Sequence, residues 1–384
     1  MPDHPPPSHP PLPVIDISPF LSLATSSTPA AAASAAAIRA AFTPLSGPGF
    51  FYATGHGIPE ADTDAAFAAL GAFFSAPQAV KDALAAVNSP LYRGYVGAGS
   101  LAHSCAPDDK GTDGRGGGGG GEVKESMTVG MEAADARASP PSPMHGPNQW
   151  PAEADVPGFE GAVRGYVRAG LAAAAAVARG TAAALGLDPG WFEGPLADPV
   201  AQLVLLRYPG VAGGGVGGGG GGGGGDAAAA VATPAGCGAH TDCGLITLVA
   251  QRGPPGLQVA RPGAAAASPS SSAPSSPAPS LHWVTAPPIP GTLVVNWGDL
   301  AAFWSGGAVA STLHRVLSPP AGGPPRESVI LFANARFDAP VVAGAAAVVG
   351  AVGDAQVTTA GRYILDKLGL MWLAEGKEEG KEGK

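Results

Sequence analysis

The sequence is poor in charged residues and cysteine, and each shortage excludes a class of protein. Only 13% of its 384 residues are charged, with 21 Lys and Arg against 30 Asp and Glu, so the net charge is −9. An acidic chain without a cluster of basic residues lacks the positively charged surface that binds nucleic acid or an anionic membrane. The three cysteines lack the even count and close pairing of a disulfide framework or zinc ribbon. They favour a reducing compartment.

Long apolar runs are also scarce. The most apolar stretch, Leu171 to Leu187, is mostly alanine and contains Arg179. It falls short of the roughly 20 strongly apolar residues of a membrane span, so it predicts a packed helix. Residues 1–11 are Pro-rich, and a strand-like run begins at Leu12, which leaves little room for a targeting peptide. We therefore expect a cytoplasmic protein.

Glycine and proline are abundant instead, with 59 and 41 residues and no strict period. This composition excludes collagen and indicates low-complexity segments, which cannot bury enough side chain to offset their ordering entropy. We expect disorder at both ends and loops in the insertions. These segments are 1–11, Ala24 to Ala37, the stretches near 107–121, 210–230 and 262–280, and 375–384.

The remaining sequence predicts helices first and strands later. Helix formers bounded by stop signals occupy 64–74, 78–87 and 161–187. Short β-rich runs then recur at 201–208, 245–251, 257–259, 281–285, 292–296, 312–317 and 328–333. Many short strands without helices between them indicate a β-sandwich or barrel. We expect a mostly helical region over 12–150 and a β-rich region over 151–370.

A candidate metal site follows from His240, Asp242 and His314. Residues i and i+2 of an extended segment share a face, so His240 and Asp242 could bind one ion together. Alone this pair is equally compatible with a surface turn. His314, in another strand-like run, supplies a third ligand. Two histidines and one carboxylate with open positions are typical of non-haem Fe(II) oxygenases, whereas zinc prefers a closed tetrahedron and is the second choice.

Arg326 and Ser328 form a candidate cosubstrate site. Their i, i+2 spacing at the start of a strand places a guanidinium and a hydroxyl on one side. Arginine binds carboxylates through two parallel hydrogen bonds, and serine adds a further donor. A dicarboxylate held here could chelate the metal through its other end. The alternative is that Arg326 is a solvated arginine at a strand end.

The order His240-x-Asp242, then His314, then Arg326-x-Ser328 resembles the motif order of the 2-oxoglutarate- and Fe(II)-dependent dioxygenases of the isopenicillin N synthase-like family. The resemblance extends from about residue 12 to 370 and is interrupted only by the low-complexity segments. Further motifs occur in family order. They are Leu12–Asp16, Gly49–Tyr52, Gly55–Ile58, Arg93–Tyr95, Lys124–Ser126, Gly146–Pro151, Leu206–Pro209 and Val295–Asp299.

The resemblance implies a mixed α and β fold with a double-stranded β-helix (jelly-roll) core and flanking N-terminal helices. It implies Fe(II) held by His240, Asp242 and His314. It places the distal carboxylate of 2-oxoglutarate on Arg326 and Ser328, with Tyr208 as a third contact, and it adds ascorbate as a further candidate cofactor. One departure is Leu206, because relatives often carry Asn two residues before the tyrosine.

The resemblance also implies an activity. The expected reaction is hydroxylation or desaturation of a small organic molecule by a monomeric enzyme, with dioxygen consumed and succinate and CO2 as coproducts. Because Asp242 is present, no coordination position is vacant for a halide, which disfavours halogenation. Two alternatives stay open: an iron-dependent oxidase that does not consume 2-oxoglutarate, and a catalytically idle metal-binding protein.

Overall fold

The structure, a computed structural model, describes residues 12–44, 46–99, 123–136, 142–210, 235–262, 281–342 and 357–369. The two ends and the insertions near 107–121, 210–230 and 262–280 were interpreted above as disordered or looped. They lie outside the described residues, apart from residues 210 and 262.

Six α-helices are present in the described residues, and most of them flank the sheets. They are α1 Pro29–Phe42, α2 Glu60–Ser75, α3 Gln78–Ala83, α4 Phe159–Ala184, α5 Asp299–Trp304 and α6 Ala360–Lys367. The helices predicted at 64–74, 78–87 and 161–187 correspond to α2, α3 and α4. Among the described residues, no helix has the length and apolar character that crossing a membrane requires.

Helix α1 corrects one prediction, because the Ala24 to Ala37 stretch was interpreted as a loop. Alanine has the highest intrinsic helix propensity, and Pro29 at the first turn suits a helix start. The Thr28 hydroxyl accepts a hydrogen bond from the Ala31 amide and caps the helix. The short side chains allow close packing on α4, where a Cβ added to Gly180 would lie 2.6 Å from Ile38 Cδ1. Close packing therefore replaces the missing side-chain bulk.

Fourteen strands are found in the described residues. They are β1 Val14–Asp16, β2 Phe50–Thr54, β3 Gly94–Val96, β4 Glu125–Gly130, β5 Val200–Tyr208, β6 Ala235–His240, β7 Ile246–Arg252, β8 Leu257–Pro262, β9 Leu281–Thr285, β10 Leu293–Trp297, β11 His314–Leu317, β12 Arg326–Asn334, β13 Pro340–Val342 and β14 Val357–Thr359. All seven predicted strands are present within a few residues. The sequence analysis did not predict strands β2, β3, β4, β6, β13 and β14. In β6 the reason is that glycine and alanine have low strand propensity.

The strands form two large sheets and one small one. The major sheet has the order β1-β2-β10-β7-β12-β5-β4-β3, the minor sheet β6-β11-β8-β9, and β13 pairs with β14. Side chains of both large sheets meet in one apolar cluster that contains Tyr52, Val249, Val259 and Val316. This double-stranded β-helix with flanking helices confirms the predicted fold class. The first 150 residues contribute four strands to the major sheet, besides helices α1 to α3.

The major sheet is buried on both faces, with a different cluster on each. On β12, Val329 and Leu331 pack into the large cluster shared with the helices, whereas Ile330 packs against the cluster between the sheets. Alternate residues of a strand point to opposite faces, so this assignment fixes which residues of each strand face the interior. Arg326, Ser328, Ile330 and Phe332 share that inner face.

Two of the sequence motifs have structural roles outside the site. The buried guanidinium of Arg93 donates to the carbonyl oxygens of Gly146 and Met144. The side chain of Asn148 accepts from the Gly130 amide at 2.8 Å and donates to the Gly130 carbonyl at 2.9 Å. These bonds satisfy buried backbone groups and attach the segment after residue 141 to β4. The Arg93–Tyr95 and Gly146–Pro151 motifs therefore stabilise the scaffold.

Candidate metal centre and cosubstrate pocket

The structure brings His240, Asp242 and His314 together. One ligand atom from each residue lies within 4.8 Å of the other two. Nε2 of His240 and Nε2 of His314 lie 3.9 and 3.7 Å from Asp242 Oδ1. His240 ends β6, and Asp242 lies two residues later in the segment before β7. Strand β6 pairs with β11 and places His240 opposite His314.

The orientation of both imidazoles is fixed by the backbone. His240 Nδ1 lies 2.8 Å from the Gly238 carbonyl oxygen, and His314 Nδ1 lies 3.1 Å from that of Thr312. A donor at Nδ1 leaves the Nε2 lone pair for a metal. The His314 ring also packs edge-on against Phe50, with 5.2 Å between ring centroids. Each imidazole therefore presents one defined nitrogen to Asp242.

Burial and neighbouring charge set the ionisation of the three side chains. Burial lowers the pKa of His314, which favours the neutral, ligand-competent imidazole. Burial alone would raise the pKa of Asp242, but His314 and two hydrogen bonds outweigh burial and lower it. Burial also lowers the pKa of His240, but Cys237, Asp242 and the Gly238 carbonyl outweigh burial and raise that pKa to about 9. A metal therefore competes with a proton at His240.

The turn that carries Asp242 is held by the segment after β10. The Asp299 amide donates to the Asp242 carbonyl at 2.7 Å, and the Gly298 amide donates to the Leu245 carbonyl at 3.2 Å. A Cβ added to Gly298 would lie 2.4 Å from the Gly244 carbonyl oxygen and 2.6 Å from that of Asp242. This close backbone approach explains the glycine in the Val295–Asp299 motif.

The Asp242 carboxylate is held by two side-chain donors. Thr247 Oγ1 and Asn296 Nδ2 donate to Oδ2 at 2.6 and 2.7 Å, while Oδ1 faces the two imidazoles. All three residues are buried, Asp242 with only 6% exposed. The sequence analysis did not identify this role for Thr247 or Asn296. The available signal was a polar residue within each of two apolar runs, 245–250 and 293–297.

Arg326 and Ser328 are buried on the inner face of β12, at 1% and 0% exposed. Tyr208 lies opposite Arg326 on β5, with the guanidinium carbon 5.1 Å from its ring centroid. Gln251, which the sequence analysis did not identify, accepts from Arg326 Nη2 at 2.7 Å. Arg326 Nε and Ser328 Oγ have no hydrogen-bond partner among the described residues. A buried guanidinium with a free N–H donor, next to a buried hydroxyl, fits the charge and the acceptor oxygens of a carboxylate.

The two sites lie on the same inner face of the major sheet. Phe332 of β12 pairs with Thr247, the donor to Asp242, and Ser328 lies four residues earlier on the same strand. Four residues span roughly 13 Å of strand. Between the row of paired residues at Ser328 and the row at Phe332 lie three aliphatic residues, Ile330, Val249 and Val204. An elongated dicarboxylate could therefore extend from the arginine to the metal ligands along an aliphatic wall.

The inner face becomes more exposed on one side of the metal ligands. Phe50 and Asn296 are fully buried, whereas Phe332 and Gln202, farther along the same row of paired residues, are half-exposed. We call Phe332, Gln202, Ile330, Val204 and Thr128 the open wall, because they are the half-exposed inner residues of β12, β5 and β4. This wall combines apolar groups with one amide and one hydroxyl.

The fold and the site together define a class of protein: a jelly-roll with a two-histidine, one-carboxylate site and a buried arginine for a second ligand. Comparisons with known proteins agree. A family model described as "non-haem dioxygenase in morphine synthesis N-terminal" matches residues 12–153, and the 2OG-Fe(II) oxygenase superfamily model matches residues 225–335.

Similar proteins include enzymes and solved structures. A homoarginine-6-hydroxylase of Glycine max is 31% identical over 337 residues, covering 86% of this chain and 87% of that protein. The 2-oxoglutarate-dependent dioxygenase caaD of Aspergillus niger is 27% identical, covering 71% of each. A Neurospora crassa protein crystallised with alpha-KG and thymine has a TM-score of 0.68 at 26% identity, covering 93% of this chain and 96% of that one.

The chain belongs to the 2-oxoglutarate- and Fe(II)-dependent oxygenase superfamily. It is therefore an oxidoreductase that uses Fe(II), 2-oxoglutarate and dioxygen on a small molecule. The family predicted from the sequence motifs is confirmed.

Proposed function

We propose that His240, Asp242 and His314 hold Fe(II). We propose further that Arg326, Ser328 and Tyr208 bind the distal carboxylate of 2-oxoglutarate. The observation that carries the proposal is the buried pair Arg326 and Ser328, whose donors Nε and Oγ lack partners among the described residues. Burial also lowers the pKa of Arg326, and no carboxylate among the described residues is ion-paired with it. A buried cation without a counterion is costly, so a bound dicarboxylate would relieve both deficits.

Each part of the site has a task in this proposal. The bound iron supplies oxidation of the substrate by dioxygen, coupled to decarboxylation of 2-oxoglutarate to succinate and CO2. Asp242 balances part of the metal charge, and neutral His314 supplies a nitrogen lone pair without a proton to displace. Arg326 orients 2-oxoglutarate by its far end, while Ile330 and Val249 keep water from the aliphatic middle of the pocket.

The substrate in this proposal is a small organic molecule that lies against the open wall and is hydroxylated or desaturated. Phe332 offers a flat apolar surface, and Gln202 offers both a donor and an acceptor, which suits a molecule with mixed apolar and polar groups. Similar proteins support small substrates, since one is named a homoarginine-6-hydroxylase and another was crystallised with thymine.

The test is anaerobic addition of Fe(II) and 2-oxoglutarate, followed by turnover in air with a panel of small molecules. We expect a visible metal-to-ligand charge-transfer band and one succinate per dioxygen consumed. Dioxygen uptake without succinate would favour the oxidase alternative. No band at all would favour the idle metal-binding protein. An Asp242→Ala variant should give neither band nor turnover, which confirms that the signal comes from this site.

We propose that the enzyme acts as a monomer and does not bind nucleic acid. The large apolar residues exposed in the described chain are few and scattered: Val14, Leu21, Leu23, Val87 and Ile289. Isolated apolar residues are normal for a monomer surface. The net charge of −9 argues against a polyanionic partner. Sedimentation of the purified chain should give a single species near 37.4 kDa.

We also retain, as proposals, the N-terminal region at 12–150 and the jelly-roll region at 151–370. The cytoplasmic location and the use of ascorbate stay predictions from the sequence and its family resemblance.

A further inference from the structure

The two oxygens of Asp242 have different surroundings. Oδ1 lies 3.9 Å from His240 Nε2 and 3.7 Å from His314 Nε2. Oδ2 accepts two short hydrogen bonds, from Thr247 Oγ1 at 2.6 Å and Asn296 Nδ2 at 2.7 Å. The carboxylate therefore has one oxygen beside the imidazole nitrogens and one oxygen committed to the protein.

The two donors are placed by the sheet and not by the turn that carries Asp242. Asn296 on β10 and Thr247 on β7 are directly paired in the register of the major sheet. Both are fully buried on its inner face, at 1% and 3% exposed. Neighbouring strands lie about 4.8 Å apart, so adjacent inner residues can reach one acceptor atom. A rigid element therefore fixes the plane of the carboxylate.

A carboxylate bound to a metal through both oxygens fills two coordination positions, whereas one oxygen fills a single position. In an octahedral site the two imidazoles and one carboxylate oxygen leave three positions, which a chelating 2-oxo acid and dioxygen require. Two hydrogen bonds to Oδ2 use the acceptor capacity that a second metal bond would need.

We propose that Thr247 and Asn296 are positioning residues that restrict Asp242 to one metal-binding oxygen and thereby keep coordination positions free for 2-oxoglutarate and dioxygen. This inference rests on the proposed function, because it requires iron at the three ligands. It differs from a purely structural role, in which the two donors only satisfy a buried carboxylate. A structural role affects the stability of the metal-free chain, whereas a positioning role changes how the folded chain binds Fe(II) and 2-oxoglutarate.

The experiment compares Thr247→Val, which keeps the shape and removes the hydroxyl, with Thr247→Ser, which keeps the hydroxyl. Asn296→Leu removes the second donor. Anaerobic calorimetric titration measures Fe(II) affinity, and the charge-transfer band at saturating Fe(II) measures 2-oxoglutarate affinity. Loss of a hydrogen bond to a metal ligand typically weakens metal binding about 10- to 100-fold. We expect that loss for Thr247→Val and Asn296→Leu, with a weaker band, and near wild-type values for Thr247→Ser.

Thr285→Val is the matched control. Thr285 is an exposed residue of β9 whose hydroxyl accepts from Gln258, so this change also removes a side-chain hydrogen bond. It should leave Fe(II) affinity unchanged. Thermal unfolding of each metal-free variant shows whether it is folded. If Asn296→Leu does not fold, the comparison of Thr247→Val with Thr247→Ser decides.

The positioning role is overturned if folded Thr247→Val binds Fe(II) and 2-oxoglutarate as tightly as the wild type. It is also overturned if Thr247→Ser is as defective as Thr247→Val, because the hydroxyl would then not be the cause. Failure of the wild type itself to bind Fe(II) would overturn the proposed function together with this inference. The three results are distinguishable.

Discussion

At the scale of single residues, the proposed cosubstrate site depends most on Arg326. Its guanidinium is buried beside Tyr208 and Ser328, and its position on the inner face is fixed by β12. A lysine there would keep the charge but lose the planar, two-pronged geometry. We expect Arg326→Lys to weaken 2-oxoglutarate binding by about 2 kcal/mol, which is roughly 30-fold. Anaerobic titration of the Fe(II)-loaded protein measures this loss.

Arg315 provides the control for that substitution. It neighbours His314 in sequence but faces the other side of β11, where it stacks on Trp283 and bonds to Gln258. Arg315→Lys should leave the affinity for 2-oxoglutarate unchanged. Equal affinity of Arg326→Lys and wild type would contradict the assignment of the distal carboxylate to Arg326.

The residues that carry charge or an imidazole could be identified from the sequence, but their supporting donors could not. His240, Asp242, His314 and Arg326 form short motifs with family spacing, and the structure brings the first three together. Thr247 and Gln251 are polar residues of one strand, β7. The contact of Gln251 with Arg326, and the position of Thr247 beside Asn296, depend on register between distant segments, which no local pattern specifies.

At the scale of elements, the contact between the turn at Asp242 and the start of α5 depends on Gly298. Its φ of −99° is open to any residue, so only the added methyl matters. That methyl would lie 2.4 Å from the Gly244 carbonyl oxygen. We expect Gly298→Ala to shift the turn and weaken Fe(II) binding at least tenfold, about 1.4 kcal/mol, measured by the same titration. Wild-type Fe(II) affinity in the folded variant would contradict this account of the turn.

Gly161 on α4 is the matched glycine, because it is exposed in a helix and a Cβ added there meets nothing within 4 Å. Gly161→Ala should raise the free energy of unfolding by about 0.5–1 kcal/mol through helix propensity. Fe(II) affinity should not change. Thermal or denaturant unfolding checks the first expectation, and a destabilised variant would contradict it.

Helix α3 and strand β4 are joined by a partly buried ion pair. Lys81 Nζ lies 2.8 Å from Glu125 Oε1, and the Tyr95 hydroxyl donates to the same oxygen at 2.6 Å. Burial, followed by the Glu125 interaction, raises the pKa of Tyr95 to about 12, so the phenol keeps its proton. Removing one member of a buried pair leaves an uncompensated charge.

We therefore expect Lys81→Met to lower the free energy of unfolding by about 1–3 kcal/mol, less than for a fully buried pair because Glu125 is partly exposed to water. Adding Glu125→Gln to that variant should recover part of the loss, since no unpaired carboxylate then remains buried. Denaturant unfolding of both single variants and the double variant measures the coupling. Additive losses would show that the pair contributes no coupling energy.

A helix or strand could be predicted from the sequence where its amino-acid composition is typical of that type of secondary structure. Strand β5 could be predicted because its residues are β-formers, and α4 because of its length. Strand β6 could not, since Ala235–His240 contains two glycines and takes its conformation from pairing with β11. Helix α1 was not predicted, because an alanine-rich composition is found both in low-complexity segments and in closely packed helices. Local propensity does not distinguish those two outcomes.

At the scale of the whole molecule, the three proposed metal ligands connect the two sheets. His240 and His314 belong to the minor sheet, whereas Asp242 is bonded to Thr247 and Asn296 of the major sheet. A ligand that binds only the folded state stabilises it by about 2.7 kcal/mol at 100 times its dissociation constant. We expect anaerobic Fe(II) to raise the unfolding temperature of the wild type. Asp242→Ala should show no such shift, and an equal shift in both would place the metal elsewhere.

The overall architecture was predicted through a chain of short motifs, and not from the periodicity of individual segments. Strand runs indicated a β-sandwich or barrel, and the order of motifs from Leu12 to Ser328 specified the jelly-roll. The joining of the N-terminal strands to the major sheet was not predicted. β1 and β3 pair only with β2 and β4, and these two strands attach to β10 and β5, which lie more than 70 residues away in sequence. Such long-range pairing leaves no local signal.

Alternate residues of strand β12 face the helices on one side of the sheet and the interior between the two sheets on the other. Val329 and Leu331 support the helices, while Ser328, Ile330 and Phe332 face the cavity. Under the proposed function, a substitution at Phe332 can therefore change which small molecule is preferred without disturbing the helical layer behind the same backbone. A change of substrate therefore requires substitutions on the inner face of the sheet and none among the residues that pack against the helices.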